Sequence, residues 1–149
     1  LDEPTTGLDP QARHLVWERL RELKRSGVAM LLTTHYMEEA AQLCDRLVVM
    51  DQGRIISEGA PETLIERHVG REVIEVSTGG DAVRRERVLA LCRPHGGRVE
   101  AMGDAIVIHL NGQSDARALL AVLAGEELVH RRATLEDVFL TLTGRELRE

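Results

Sequence analysis

The decamer "LDEPTTGLDP", residues 1–10, places three acidic side chains around a threonine-rich turn. Asp2 and Glu3 are adjacent where a short strand would end, so their side chains diverge and can do different work. An aspartate can hold Mg²⁺, and a neighbouring glutamate can orient a water molecule against a phosphorus atom. Asp9 precedes Pro10, the pattern of a helix N-cap followed by a first-turn proline. The decamer therefore predicts a strand–loop–helix transition that carries phosphate chemistry.

A third candidate site residue, His35, ends the apolar run "VAMLLTT", residues 28–34. Because the run is continuous rather than alternating, it predicts a strand buried on both faces, as in a parallel sheet. If that strand neighbours the one ending at Glu3, both side chains emerge at the sheet edge where α/β folds bind nucleotides. Taken singly, each residue has an ordinary explanation: an acidic surface turn, a helix cap for Asp9, a solvated loop histidine.

Composition narrows the class of protein. The 149 residues are 43% hydrophobic, enough for a packed core in one sizeable domain or two small ones. A net charge of −6, with one Trp, one Tyr and one Phe, argues against nucleic acid as the main partner. Cys44 and Cys92 lack metal-ligand spacing, and we expect both to be buried, reduced thiols. No apolar run approaches the ~18 residues of a membrane span.

A change of pattern near Gly70 divides the chain into two predicted domains, residues 1–70 and residues 71–149. The first alternates helices with apolar strands, which is typical of an α/β core. The second has the order βαββαβ, the split βαβ or ferredoxin-like arrangement of a small α+β domain, followed by a C-terminal helix. Predicted helices begin at or just after Asp9, Tyr36, Pro61, Asp81, Ser114 and Thr134.

Several of these motifs together resemble the ATPase subunit of ABC transporters. Residues 1–3 are similar to the end of the Walker B strand, and "TGLD", residues 6–9, resembles the D-loop. His35, within "LLTTHYMEEA", matches the switch histidine, and "VVMDQGRIISEGAPETL", residues 48–64, resembles the segment that closes the ATPase core. "RRATLEDVFLTLTGREL", residues 131–147, resembles the C-terminal signature of drug-resistance and Nod-factor export ATPases, which serve ABC-2-type permeases.

The resemblance implies a fold and a set of roles. Residues 1–70 would be the C-terminal portion of a P-loop ABC ATPase core, and residues 71–149 an accessory domain. Asp2 would hold Mg²⁺, Glu3 would be the catalytic glutamate, His35 would contact the γ-phosphate of ATP, and Asp9 would meet a second subunit. The implied partners are a second ATPase subunit and a membrane permease. The implied location is the cytoplasm, on the inner face of the cell membrane.

The 149 residues contain no G-x-x-x-x-G-K-[ST] phosphate cradle, glutamine loop or Ser-Gly-Gly signature. We therefore expect the chain to be the back portion of such an ATPase and to be inactive alone. Two alternatives belong to other classes: an ABC-type ATPase of DNA maintenance, and a ferredoxin-like regulatory or dimerisation module in residues 71–149. The acidic charge and the "TLEDVFL" tail count against the first.

The last predicted helix, "LEDVFLTLTG", carries an apolar stripe at helical spacing behind a capping box, Thr134 to Asp137. We expect this stripe to pack on its own domain or on the ATPase core rather than on the permease. Its members are Leu135, Val138, Phe139 and Leu142.

Overall fold

The computed structural model describes residues 1–95, 97–112 and 114–144 and shows a mixed α/β chain, as the sequence predicts. None of the described helices is both long and apolar enough to cross a membrane. In chain order the elements are α1 Pro10–Arg25, α2 Met37–Leu43, β1 Leu47–Asp51, β2 Arg54–Gly59, α3 Pro61–His68, β3 Glu72–Ser77, α4 Ala82–Cys92, β4 Arg98–Met102, β5 Ala105–Leu110, α5 Ala116–Val122, β6 Leu128–Arg132 and α6 Leu135–Thr143.

The chain forms two compact units. The first unit consists of Leu1–Leu64 together with residues 134–144, and the second consists of Ile65–Ala133. The last helix therefore groups with the first 64 residues, whereas the sequence placed it in the second domain. The predicted domain boundary near Gly70 stays a prediction.

Helix α1 begins where the sequence predicts, because Asp9 and Pro10 supply its cap and first turn. The Asp9 carboxylate accepts a hydrogen bond of 2.9 Å from the Ala12 amide. Pro10 has no amide hydrogen, which costs nothing in the first turn, where amides have no acceptor within the helix. Further along, Trp17 and Leu20 are buried and pack with Leu43 of α2. Strands β1 and β2 form an antiparallel hairpin.

The run 28–34 is not the buried strand that the sequence predicts. Its sheet pairing is a single parallel bridge between Thr33 and Asp2, and the Leu31 side chain is 84% exposed. A strand buried on both faces needs neighbouring strands and a covering layer. Within the described chain this run pairs with one segment, residues 1–3; Leu32 packs on the cluster of α1 and α2, but Leu31 is left uncovered. The prediction of a doubly buried strand is therefore wrong for this chain.

The second unit is a four-stranded antiparallel sheet in the order β4-β5-β3-β6, and its elements follow one another as β3-α4-β4-β5-α5-β6. Alternate apolar side chains of β3 and β5 share one face of the sheet, where they pack with side chains of α4 and α5. The buried members of this core are Ile74, Val76, Val88, Cys92, Ile106, Ile108, Leu110, Leu119 and Leu123.

Helix α5 starts one residue later than predicted, because Asp115 rather than Ser114 caps it. The Asp115 carboxylate accepts hydrogen bonds from the amides of Arg117 and Ala118, at 3.0 and 3.1 Å. The Ser114 hydroxyl instead donates to the Asn111 side chain at 2.9 Å. Both residue types are good N-caps, and the local loop decides between them.

Gly70, after α3, is required by both its backbone conformation and its surroundings. Its φ angle is +104°, in the region that side chains rarely adopt. A Cβ atom built on Gly70 would lie 2.2 Å from the carbonyl oxygen of Leu110. The position two residues before β3 therefore admits no side chain.

Helix α6 belongs to the first unit and packs with α2. Its predicted capping box is confirmed, because the Asp137 carboxylate accepts from the Thr134 amide at 2.8 Å. Leu135 and Val138 of the predicted stripe are buried, whereas Phe139 is half-buried. The stripe thus packs on the segment that resembles an ATPase core.

Replacing Ile108, which is fully buried between the sheet and its helices, should weaken the second unit. We expect Ile108→Ala to lower the free energy of unfolding by about 2–5 kcal/mol, because it leaves a cavity. Urea unfolding followed by circular dichroism measures this. The matched control is Val83→Ala on α4, where the side chain is 80% exposed, and its effect should stay within about 0.5 kcal/mol.

Acid should destabilise the second unit partly through Glu126. Hydrogen bonds from Arg84, at 2.9 Å, and from Arg87 hold the pKa of this carboxyl below its usual value of 4.5. A depressed pKa in the folded state stabilises the fold above pH 4.5, and the contribution is lost as the pH falls further.

We therefore expect Glu126→Gln to be less stable than the parent chain at pH 7, with a smaller further loss on going to pH 3. Urea unfolding at both pH values tests this. Glu86→Gln, on the exposed surface of α4, is the control. An equal acid-induced loss in the parent chain and in Glu126→Gln would contradict the assignment.

Candidate functional site

Three backbone hydrogen bonds align residues 1–3 with residues 31–33. The Leu1 amino group donates to the Leu31 carbonyl at 2.8 Å. The Thr33 amide donates to the Leu1 carbonyl, and the Glu3 amide donates to the Thr33 carbonyl, both at 2.9 Å. Because the two segments run parallel, the residues that follow them emerge side by side.

Glu3 and His35 are brought together by this pairing. Glu3 Oε1 lies 3.2 Å from His35 Nδ1, and the two side chains are 48% and 52% exposed. The Thr6 hydroxyl donates to the other carboxylate oxygen, Glu3 Oε2, at 3.2 Å. The carboxylate is thus oriented through both of its oxygens, yet half of it remains open to solvent and to a ligand.

The backbone of Glu3 is in an unusual conformation. Its φ angle is +41°, which is uncommon for a residue with a side chain and costs roughly 1–3 kcal/mol. The turn that follows is closed by a hydrogen bond of 3.2 Å from the Thr6 amide to the Glu3 carbonyl. Strain of this kind is concentrated at functional sites, which supports a role for Glu3 beyond that of a surface residue.

Asp2 is exposed and accepts a hydrogen bond from the Thr33 hydroxyl. A carboxylate beside a hydroxyl is a set of hard oxygen donors, which suits Mg²⁺. In the described residues, no three His, Cys, Asp or Glu side chains converge as a ligand group. A single carboxylate fits Mg²⁺ that takes its remaining ligands from water and phosphate, and it does not fit a closed structural site.

Asp9 has a clear structural role as the N-cap of α1. Its carboxylate is engaged with the Ala12 amide, and the residue is exposed. The ordinary explanation of Asp9 as a helix cap is therefore correct, and its contact with a second subunit stays a prediction.

Tyr36, which the sequence did not single out, lies against His35, and Arg13 in turn lies over Tyr36. The rings of His35 and Tyr36 are 4.2 Å apart, centre to centre. The Arg13 guanidinium group lies 4.3 Å from the centre of the Tyr36 ring, a cation–π contact. An aromatic residue next to the histidine was visible in the sequence, but its pairing with α1 was not.

A buried polar cluster behind the site was also missed. The Thr5 hydroxyl and the Trp17 indole both donate to Glu39 Oε1, at 2.7 and 2.9 Å. The signal in the sequence was weak: Glu39 lies four residues before Leu43, on the face of α2 that should be apolar.

An open apolar cleft of about 970 Å³ lies in the first unit. Exposed side chains line it, among them Leu31, Met50 and Ile55, which are 84%, 57% and 63% exposed. Large exposed apolar patches are typical of surfaces that contact another protein segment or a ligand.

Comparisons with known proteins agree with the motifs. Residues 82–144 match the family described as "Nodulation factor export protein NodI, C-terminal domain". The whole chain is 50% identical to "Nod factor export ATP-binding protein I" of Mesorhizobium japonicum, of which it covers 43%. It is 51% identical over its whole length to the protein of the same name from Burkholderia thailandensis, of which it covers 48%.

A third relative of that name, from Rhizobium sp. strain N33, is 49% identical over 99% of this chain and 47% of its own length. The chain thus spans less than half the length of these relatives. The resemblance to export ATPases of the ABC type, first inferred from the motifs, is confirmed. Throughout its length the chain is similar to the ATP-binding proteins of Nod factor export, and residues 82–144 match the NodI C-terminal domain.

Proposed function

We propose that this chain supplies the hydrolytic carboxylate of an ATPase subunit that powers an ABC-type exporter. The observation that carries the proposal is the Glu3–His35 pair, 3.2 Å apart at the end of two parallel segments, with Asp2 next to it. The names of the relatives, which describe ATP binding and export, support the same conclusion.

The residues divide the chemistry of ATP hydrolysis between them. Glu3 would accept a hydrogen bond from the attacking water and take its proton as the new O–P bond forms and the bond from the γ-phosphorus to the bridging oxygen breaks, releasing ADP. His35 would donate a hydrogen bond to the γ-phosphate. Asp2 would hold Mg²⁺, which neutralises developing charge on the phosphate oxygens when it is bound. The Thr6 hydroxyl and His35 keep the Glu3 carboxylate oriented.

The phosphates of ATP would be held by a segment other than these 149 residues, which contain no G-x-x-x-x-G-K-[ST] sequence. Such a segment would also cover the apolar cleft beside Leu31, because an ATPase core of this type is a layered α/β sheet. We further propose that Asp9 lies at the contact between two such subunits and that a membrane permease is the partner. That assembly would keep the protein on the cytoplasmic face of a membrane.

For residues 65–133 we propose a ferredoxin-like accessory domain. The strand order β4-β5-β3-β6, with α4 and α5 sharing one face, supports this fold. A regulatory or dimerisation role would follow from its position in the chain, since the unit contains none of Asp2, Glu3 and His35.

The 149-residue chain should not bind Mg-ATP appreciably by itself, because the backbone donors of a phosphate cradle are missing from its sequence. Isothermal titration calorimetry with Mg-ATP measures this. Binding with a dissociation constant in the micromolar range would contradict the proposed division of labour between this chain and another segment.

The role of Glu3 is tested in a chimera that joins the N-terminal part of the Mesorhizobium relative to residues 1–149. We expect Glu3→Gln to reduce turnover roughly 10²–10⁴-fold, the usual contribution of a general base, while ATP binding persists. His35→Ala should also lower turnover. The matched control is Glu38→Gln, an exposed glutamate of α2. Normal turnover in Glu3→Gln would refute the assignment.

A further inference from the structure

Glu39 is a carboxylic acid at a position that the fold treats as core. It is fully buried on α2, one helical turn before Leu43, which packs on Trp17. Burying a carboxyl group is costly unless specific hydrogen bonds compensate, so an apolar residue would be the simpler choice here. The hydrogen bonds that Glu39 makes must therefore compensate for its burial.

One oxygen of Glu39 joins three separate segments of the first unit. Oε1 accepts from the Thr5 hydroxyl at 2.7 Å and from the Trp17 indole at 2.9 Å. Thr5 is itself fully buried in the turn after Glu3, and Trp17 lies on α1. The turn, α1 and α2 thus meet at a single atom. The second oxygen, Oε2, is buried without a hydrogen-bond partner among the described residues.

Both members of the Glu3–His35 pair are attached to segments that meet at Glu39. Glu3 lies two residues before Thr5, and His35 lies four residues before Glu39. The backbone pairing of residues 1–3 with residues 31–33 aligns these two segments. It does not extend to the turn after Glu3 or to the start of α2. The hydrogen bond from Thr5 to Glu39 joins the turn that follows Glu3 to the helix that follows His35.

We propose that Glu39 is a positioning residue, which sets the separation of Glu3 and His35 by bonding the turn at Thr5 to α2. This inference rests on the proposed function, because it assigns Glu39 a task in the reaction of Glu3. The predicted D-loop, residues 6–9, begins directly after Thr5, so the same bond fixes the base of that loop. A change in the loop on contact with a second subunit would thereby reach the catalytic pair through Thr5 and Glu39.

The alternative is that Glu39 merely stabilises the packing of α1 on α2. Leu43 offers a matched control, because it lies on the same face of α2 and contacts the same Trp17 cluster. Leu43→Ala removes packing and leaves the Thr5–Glu39 bond in place. Glu39→Gln keeps an acceptor oxygen for both donors and removes only the carboxylate, whereas Glu39→Leu removes both bonds.

The first experiment uses the 149-residue chain and its single tryptophan. Trp17 is 1% exposed and donates its indole hydrogen to Glu39, so its emission reports this bond. We expect Glu39→Leu to shift the emission maximum, and Glu39→Gln and Thr5→Val to leave it close to that of the parent chain. Identical spectra for all variants, including Glu39→Leu, would overturn the bonding scheme.

The second experiment measures steady-state hydrolysis in the chimera described above. We expect Glu39→Leu to lower kcat at least about tenfold with the KM for Mg-ATP changed less than about threefold, the signature of a lost transition-state arrangement. Glu39→Gln should restore most of the turnover, and Leu43→Ala should retain it wherever circular dichroism shows a folded protein. If Glu39→Leu does not fold, Thr5→Val takes its place. Thr5→Val removes only the Thr5–Glu39 hydrogen bond and should lower kcat in the same way.

Three results would overturn the proposal: an equal loss of kcat in Leu43→Ala, no rescue by Glu39→Gln, or a full kcat in Glu39→Leu. Failure of the proposed function itself has a different signature, since Glu3→Gln would then hydrolyse ATP normally in the same chimera. If Glu3→Gln is inactive and Glu39→Leu keeps its full kcat, the catalytic assignment stands and the positioning role of Glu39 falls.

Discussion

The parallel pairing of residues 1–3 with residues 31–33 is the constraint on which the candidate site depends. Each of its three hydrogen bonds contributes only about 0.5–1.5 kcal/mol net, yet together they fix the direction and register of two segments some 30 residues apart in sequence. Slippage of one residue would turn Glu3 to the other face and away from His35. Three hydrogen bonds alone hold two segments weakly. Contacts of Thr6 with Glu3, of Tyr36 with His35 and of Glu39 with Thr5 add to them.

Much of the secondary structure could be predicted from the sequence because its determinants are local. The Asp9–Pro10 start of α1, the turn between β1 and β2 and the capping box of α6 each depend on residues within four positions of one another. The prediction for residues 28–34 failed because the burial of a strand depends on what covers it, and an apolar run does not specify its neighbours. The choice of Asp115 over Ser114 as a cap depends on loop geometry that spacing alone does not contain.

The candidate site was predictable only in part. The motifs indicated Asp2, Glu3 and His35, and the structure places Glu3 against His35. Arg13, Tyr36 and Glu39 were not predicted, because their importance lies in contacts between elements that are far apart in sequence. A buried glutamate among helix residues looks the same in a sequence as a solvated one; only the partners Thr5 and Trp17 distinguish it.

The path of the chain has a thermodynamic consequence. The chain leaves the first unit after Leu64 and returns at Thr134, so α6 can dock only by closing a loop of roughly 70 residues, whose entropic cost grows with the logarithm of length. When the second unit is folded, its first and last strands in sequence, β3 and β6, are paired, with Glu72 opposite Arg132, which brings the two ends of the loop together. The effective loop then shortens to about ten residues, and closing it costs roughly 1.5–2 kcal/mol less. Folding of the second unit thus favours docking of α6 through chain connectivity alone, and a mutation in its sheet would loosen α6 without touching it.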